Sequence, residues 1–346
     1  SSAASDVYKR QGLELNVRGS ELWVEFTADW DIHEPWYSFM VNGEFFSRRM
    51  AQKGTERVCV FRGMDPEKVK NVRIFKDTQA MNADPESVLQ INAVETDGEF
   101  LPVPERNLKI EFIGDSITSG EGDIGAKAET DWISMFFSAE NNYAVMVSRA
   151  LNADIRVSSQ SGWGVCCGWN NDPNSAIPPI YRQLCGLLSG EKNIALGAKE
   201  PYDFTKWQPN YVFINLGTND CGAFSQPAWT DETTGETFQN RRTEDGKLNP
   251  EDEARFAHGA TAFLKQLRGY YPNARLVWIY GMLGLELAPA LQKAIDDYKA
   301  ETGDANAEFL SLTDDLKNRG CRDHPGVGAH RTAANELIAY IKKRNA

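Results

Sequence analysis

Two prolines, in Leu101-Pro102-Val103-Pro104, divide the chain into stretches that obey different periodicities. Proline donates no backbone hydrogen bond and pushes the residue before it toward extended backbone, so no regular element runs through this segment. Before it lie six short runs, Leu13 to Val17, Leu22 to Thr27, Tyr37 to Val41, Val58 to Phe61, Val72 to Phe75 and Val88 to Ile91. They are rich in β-branched and aromatic residues and are separated by turn signals such as Arg18-Gly19-Ser20, Asn42-Gly43 and Asp65-Pro66. Leu22, Val24 and Phe26 alternate with Glu21, Trp23 and Glu25, the period of two that gives a strand one buried and one wetted face. The region 12–105 is therefore expected to form an all-β antiparallel sandwich.

Beyond the prolines, strands alternate with helices. The pattern predicts strands at 108–113, 154–159, 210–216, 275–280 and 307–311, and helices at 140–151, 252–269, 289–301 and 331–343. Arg275 to Tyr280 is almost continuously apolar, as a strand covered on both faces must be. Such alternation, with right-handed crossovers, predicts an α/β domain over 106–346, a parallel sheet flanked by helices whose site lies at the carboxyl ends of the strands. The irregular stretches 160–208 and 221–250 have the length of functional or mobile loops. Residues 1–11 lack an apolar core and periodicity and read as a disordered or non-native extension.

The chain has 346 residues, 41% of them hydrophobic, which is ordinary for a folded protein of two domains. Its net charge is −12 and no run of Lys and Arg forms a phosphate-binding stripe, so neither nucleic acid nor an anionic membrane is an expected partner, and a neutral substrate is. No apolar run approaches the roughly 18 residues of a membrane helix. The six cysteines form no CxxC pair and meet no histidine at zinc-finger spacing, so no metal is expected. Cys221 and Cys321 flank two of the blocks described next, and either a bridge between them or two buried free thiols fits. Cys185 is an available partner for Cys166-Cys167.

Four polar blocks fall at the ends of the predicted strands: Gly114-Asp115-Ser116-Ile117, Ser161-Gly162, Gly217-Thr218-Asn219-Asp220 and Asp323-His324-Pro325. A serine hydroxyl is a poor nucleophile at neutral pH and needs a base for its proton and fixed donors for the oxyanion. Ser116, between strand and helix, is the candidate nucleophile, with its own amide, the Gly162 amide and the Asn219 side chain as oxyanion donors. Taken alone, Ser116 would read as a helix cap; the other three blocks reverse that. Of the four histidines, His33 belongs to the sandwich, His258 lies on a polar helix and His330 opens the last helix as a cap or packing residue, leaving His324 as the base. Asp115 shapes the turn. Trp132, Trp163 and Trp169 lie near these loops and are candidates for stacking on a sugar ring, with core packing as the alternative for each.

Gly114-Asp115-Ser116, Gly162, Asn219 and His324-Pro325, in this order, resemble the four blocks of the SGNH or GDSL hydrolases. Over roughly residues 12–346 the chain is most similar to carbohydrate esterase family two. The resemblance implies a jelly-roll sandwich ahead of a flavodoxin-like SGNH domain. It also implies a secreted or periplasmic esterase, without a cofactor, that removes acetyl groups from xylan or a related polysaccharide. The superfamily usually places an Asp three residues before the histidine, where this chain has Cys321. Some family members resemble a Ser-His dyad oriented by a backbone carbonyl, which is the reading preferred here, with Asp323 as the alternative third member. A general short-chain or lipase-like esterase and an inactive carbohydrate-binding protein are the competing readings.

Overall fold

The computed structural model describes residues 12–345; the extension expected at 1–11 lies outside the described residues. Eight strands precede the proline segment: β1 (Gly12–Arg18), β2 (Glu21–Asp29), β3 (Trp36–Val41), β4 (Glu44–Met50), β5 (Gly54–Arg62), β6 (Val69–Lys76), β7 (Val88–Thr96) and β8 (Glu99–Leu101). They form two antiparallel sheets, ordered β4-β3-β6-β1-β8 and β5-β2-β7. Leu22, Val24, Phe26 and Ala28 of β2 are buried and their neighbours are not, so the alternation read from the sequence is the inner face of a sandwich. Across the core Phe26 stacks on Tyr37 at 4.4 Å between ring centroids. Strand β4 was not among the predicted runs. It follows the Asn42-Gly43 hairpin turn, where both residues have positive φ (53° and 86°), and its Arg48-Arg49 pair hides the strand pattern.

Residues 102–108 lead into β9 (Lys109–Gly114). The rest of the chain adds α1 (Ser116–Ser119), α2 (Tyr143–Leu151), β10 (Asp154–Ser159), α3 (Ile177–Ile180), α4 (Glu191–Ala195), β11 (Tyr211–Asn215) and α5 (Thr218–Ala223). After a small hairpin of β12 (Trp229–Thr230) and β13 (Thr237–Phe238) come α6 (Pro250–Tyr270), β14 (Arg275–Tyr280), α7 (Ala288–Thr302), β15 (Ala307–Ser311) and α8 (Val327–Asn345). The parallel sheet is ordered β10-β9-β11-β14-β15. Every residue of β11 is buried, because the sheet is covered on both sides. Phe263, Leu267 and Leu291 of α6 and α7 pack on one face, and Tyr143, Val147 and Leu337 of α2 and α8 on the other. Both strand and helix predictions for this half match the structure to within a few residues at each end.

The strand order reverses between β10 and β11 on either side of β9, and loops leaving the carboxyl ends of these three strands share one edge. In an open parallel sheet that crevice is where a ligand site forms. Among the described residues no helix is long and apolar enough to cross a membrane.

Candidate active site

Ser116 sits in the tight turn after β9. Gly114 is required there, since a Cβ would lie 2.0 Å from the Thr118 hydroxyl oxygen and 2.9 Å from the Asn215 carbonyl oxygen. The next residue, Asp115, caps α1 by accepting the Ile117 amide at 3.0 Å, so it holds the turn as expected of it. Asp115 is fully buried, and loss of water pushes its carboxyl up to about 7, helped by the nearby Asp220 and Glu121 charges.

His324 arrives from the loop between β15 and α8. Its Nε2 lies 3.0 Å from Ser116 Oγ, and its Nδ1 lies 3.2 Å from the carbonyl oxygen of Arg322. One tautomer serves both contacts: Nδ1-H donates to the carbonyl and Nε2 accepts from the serine. The carbonyl is aimed by an unusual backbone, with Arg322 and Asp323 both left-handed at φ 53° and 58°. Two consecutive such residues store strain that the surrounding contacts must hold. Cys321 N donates to Gly122 O at 3.0 Å, Arg322 N to Glu129 O at 2.9 Å, and Gly320 N to His324 O at 2.8 Å. Asp323 is exposed and makes no hydrogen bond to the imidazole. Buried Glu121, absent from the sequence reading, stands 3.7 Å from His324 Nε2 and 3.8 Å from Arg322 Nε.

Ser161 and Gly162 follow β10, with Gly162 at φ +79°. Trp169 folds back so that its amide donates to Gly162 O at 3.0 Å, and its indole Cδ1 would lie 3.2 Å from any Cβ placed on Gly162. This indole is 53% exposed, so a ring face beside Gly162 is open to a ligand. Trp163 is partly buried against the core on the α6 and α7 side. Its carbonyl accepts Asn219 Nδ2 at 2.9 Å, which fixes the amide and leaves its second N-H uncommitted to that bond. Trp132 packs edge-on to His33 at 4.8 Å and to Phe137 at 5.6 Å, bridging the two halves of the molecule. His330 is buried within α8, stacked on Tyr143, whose amide it accepts at 3.3 Å, a packing role.

Four residues to which the sequence alone assigned no role support these loops. Asp220 accepts Val165 N at 2.8 Å and Cys166 N at 2.8 Å, tying the loop after Gly162 to the start of α5. Burial raises its carboxyl to about 6 against the lowering effect of those amides. Gln79, from the loop after β6, is buried and accepts both Ser161 N at 2.8 Å and Ser161 Oγ at 3.0 Å. Beside it Asn82 accepts Gln160 Nε2 at 2.9 Å. Arg48 of β4 stacks on Trp36, pairs with buried Asp77 at 3.0 Å and donates to Phe137 O at 2.7 Å. The sandwich thus braces the loops that carry Gly162 and Trp132. No local signal marks Gln79 or Arg48, whose partners lie 82 and 89 residues away in sequence.

None of the six cysteines is in a disulfide, so the Cys221–Cys321 bridge is not formed. Cys221 Sγ, on α5, faces Glu286 Oε2 at 3.4 Å, and Cys321 Sγ faces the Glu129 carbonyl at 3.4 Å, so the two thiols face different segments. Nor do Cys166 and Cys167 bond Cys185, which packs instead with Ala80, Leu188 and Ala198. Among the described residues no group of three His, Cys, Asp or Glu side chains is disposed to hold a metal ion.

Comparison with known proteins matches residues 112–334 to the profile of the GDSL-like Lipase/Acylhydrolase family. The structure is similar to that of an acetyl xylan esterase from the rumen bacterium Butyrivibrio proteoclasticus, with 43% identity, a TM-score of 0.95 and coverage of 98% of this chain and 91% of that one. It shares the fold of a family two carbohydrate esterase from Clostridium thermocellum solved in complex with cellohexaose, at 24% identity and a TM-score of 0.78, over 97% of this chain and 93% of that one. In sequence the chain is 25% identical to a cellulase/esterase of Acetivibrio thermocellus over 96% of its own length and 36% of that protein. It is 24% identical to an acetylxylan esterase / glucomannan deacetylase of Cellvibrio japonicus, over 70% of this chain and 61% of that protein. The chain thus spans about a third to three fifths of the length of these two relatives.

Proposed function

The chain belongs to the GDSL-like lipase and acylhydrolase family, and from that premise we propose that it is a secreted or periplasmic serine esterase removing O-acetyl groups from xylan or a related polysaccharide. The observation that carries this reading is the Ser116 Oγ to His324 Nε2 contact of 3.0 Å, with Nδ1 set against the Arg322 carbonyl. His324 takes the proton of Ser116 as the hydroxyl attacks the acetyl carbonyl. The Ser116 and Gly162 amides and the Asn219 side chain stabilise the oxyanion. His324 then protonates the departing sugar hydroxyl, and water, activated by the same imidazole, releases acetate from the acyl-enzyme. Ser116 and His324 act as a dyad whose imidazole is held by a main-chain carbonyl in the place where other members use a carboxylate. Trp169, exposed beside Gly162, supplies a platform for a sugar ring.

Substituting Ser116 by Ala and assaying 4-nitrophenyl acetate and acetylated xylan tests the reading. Activity is expected to fall by about three to six orders of magnitude in kcat. Undiminished hydrolysis by the purified, folded variant would rule it out. A preference of the wild type for octanoyl over acetyl esters would retain the nucleophile but reject deacetylation.

A further inference from the structure

Between the β3-β6 face of the sandwich and helices α2 and α8 runs a cleft of about 670 Å³, within the size range of about 300–1,000 Å³ seen for small-ligand sites. No residue lining it belongs to the Ser116 site. The lining carries four arginines, Arg73, Arg106, Arg149 and Arg331, with three asparagines and no carboxylate, in a chain whose net charge is −12. The arginines are far apart in sequence, which is why no basic cluster was legible there.

Their commitments differ. Arg106 is spent: both terminal nitrogens bond Glu14 behind the cleft, and its Nε donates to Asn152 at 3.0 Å. Arg73 commits only Nε to Glu14, at 3.3 Å. Arg149 donates one nitrogen to Gly43 O at 2.9 Å and lies 3.8 Å from the largely exposed Glu44, with Glu140 also nearby. Arg331 is exposed, and its guanidinium has no ion pair or hydrogen bond among the described residues. One turn along α8 from Arg331 stands Asn335, also exposed. Met146 and Ile338, both half-buried, supply apolar surface between these groups, with Met40 buried beneath them.

We propose that this cleft binds an acidic sugar, a uronic acid residue of a polysaccharide, with its carboxylate on Arg331, Arg149 and Arg73. Guanidinium forks match carboxylates bidentately, the exposed Asn335 amide suits a sugar hydroxyl in either hydrogen-bonding sense, and Met146 and Ile338 offer a surface to the ring. The choice of a saccharide rests on the polysaccharide reading above; the binding itself does not depend on Ser116.

Isothermal titration calorimetry on the full chain tests it, with xylotetraose bearing one glucuronic acid, unsubstituted xylotetraose, and sodium sulfate as probes. The acidic oligosaccharide is expected to bind the wild type, and Arg331→Glu to weaken it at least about tenfold, equivalent to about 1.4 kcal/mol. Turnover of 4-nitrophenyl acetate is expected to be unchanged in Arg331→Glu, which shows the variant folded and separates this site from the esterase reading. Absence of binding to the wild type, equal affinity for the neutral oligosaccharide, equal affinity for sulfate, or an unaffected Arg331→Glu variant would each overturn the proposal.

Discussion

Replacing Asp323 by Asn separates a dyad from a triad. Asp323 is exposed, adopts φ 58°, and makes no hydrogen bond to His324, whose Nδ1 lies 3.2 Å from the Arg322 carbonyl oxygen instead. Asn tolerates the left-handed conformation nearly as well as Asp, so the backbone that aims the carbonyl is kept. Were Asp323 the residue that orients the imidazole and stabilises its charged form, its amide would cost about 10⁴ in kcat, the effect of that change in a Ser-His-Asp triad. With the carbonyl in that role, kcat is expected to fall less than about threefold, or about 0.6 kcal/mol of barrier. Steady-state kinetics on 4-nitrophenyl acetate and acetyl release from acetylated xylan read the difference directly. The pH–rate profiles of variant and wild type are expected to superimpose, since the group holding Nδ1-H is unchanged. A loss beyond about 10³ in kcat at an unchanged melting temperature would refute the dyad and restore Asp323 as the acid.

Gln79→Ala removes the acceptor of both Ser161 N and Ser161 Oγ from the residue preceding Gly162. Because losing one oxyanion donor outright costs about 100- to 1000-fold, loosening the Gly162 amide is expected to cost about tenfold or more in kcat with little change in KM; an effect on melting temperature alone would make Gln79 purely structural. Asp115→Asn tests the buried carboxyl. It releases its proton near 4 when unfolded and at about 7 when folded, so its contribution to stability is complete below about pH 4 and is lost progressively up to about pH 7. The melting temperature of Asp115→Asn relative to wild type is therefore expected to rise between those limits, and an offset constant in pH would show that the native carboxyl ionises normally.

The β-α alternation, the alternating faces of β2 and the order of the polar blocks are local patterns, and the chain states them openly. A strand buried on both faces must be apolar over most of its length, as β11 is up to Asn215 and β14 is after Arg275, and the loop that follows such a strand must emerge at its carboxyl end. These local patterns alone place Ser116 and His324 at one edge of a sheet, although they are 208 residues apart in sequence. Strand β4 escaped because an edge strand with Arg48-Arg49 carries no clean period of two.

What the sequence by itself determined is which residue types reach the sheet edge, since hydrophobic periodicity and turn chemistry act within a few residues. What only the tertiary structure decided is what holds them. The Arg322 carbonyl faces His324 Nδ1 because two left-handed residues are pinned by contacts from Gly122 and Glu129. Gln79 braces Ser161 across the two halves of the chain, and four scattered arginines meet around one cleft. These contacts join segments tens to hundreds of residues apart, and their partners are set by how the sheets and helices pack, a relation that no short stretch of sequence encodes.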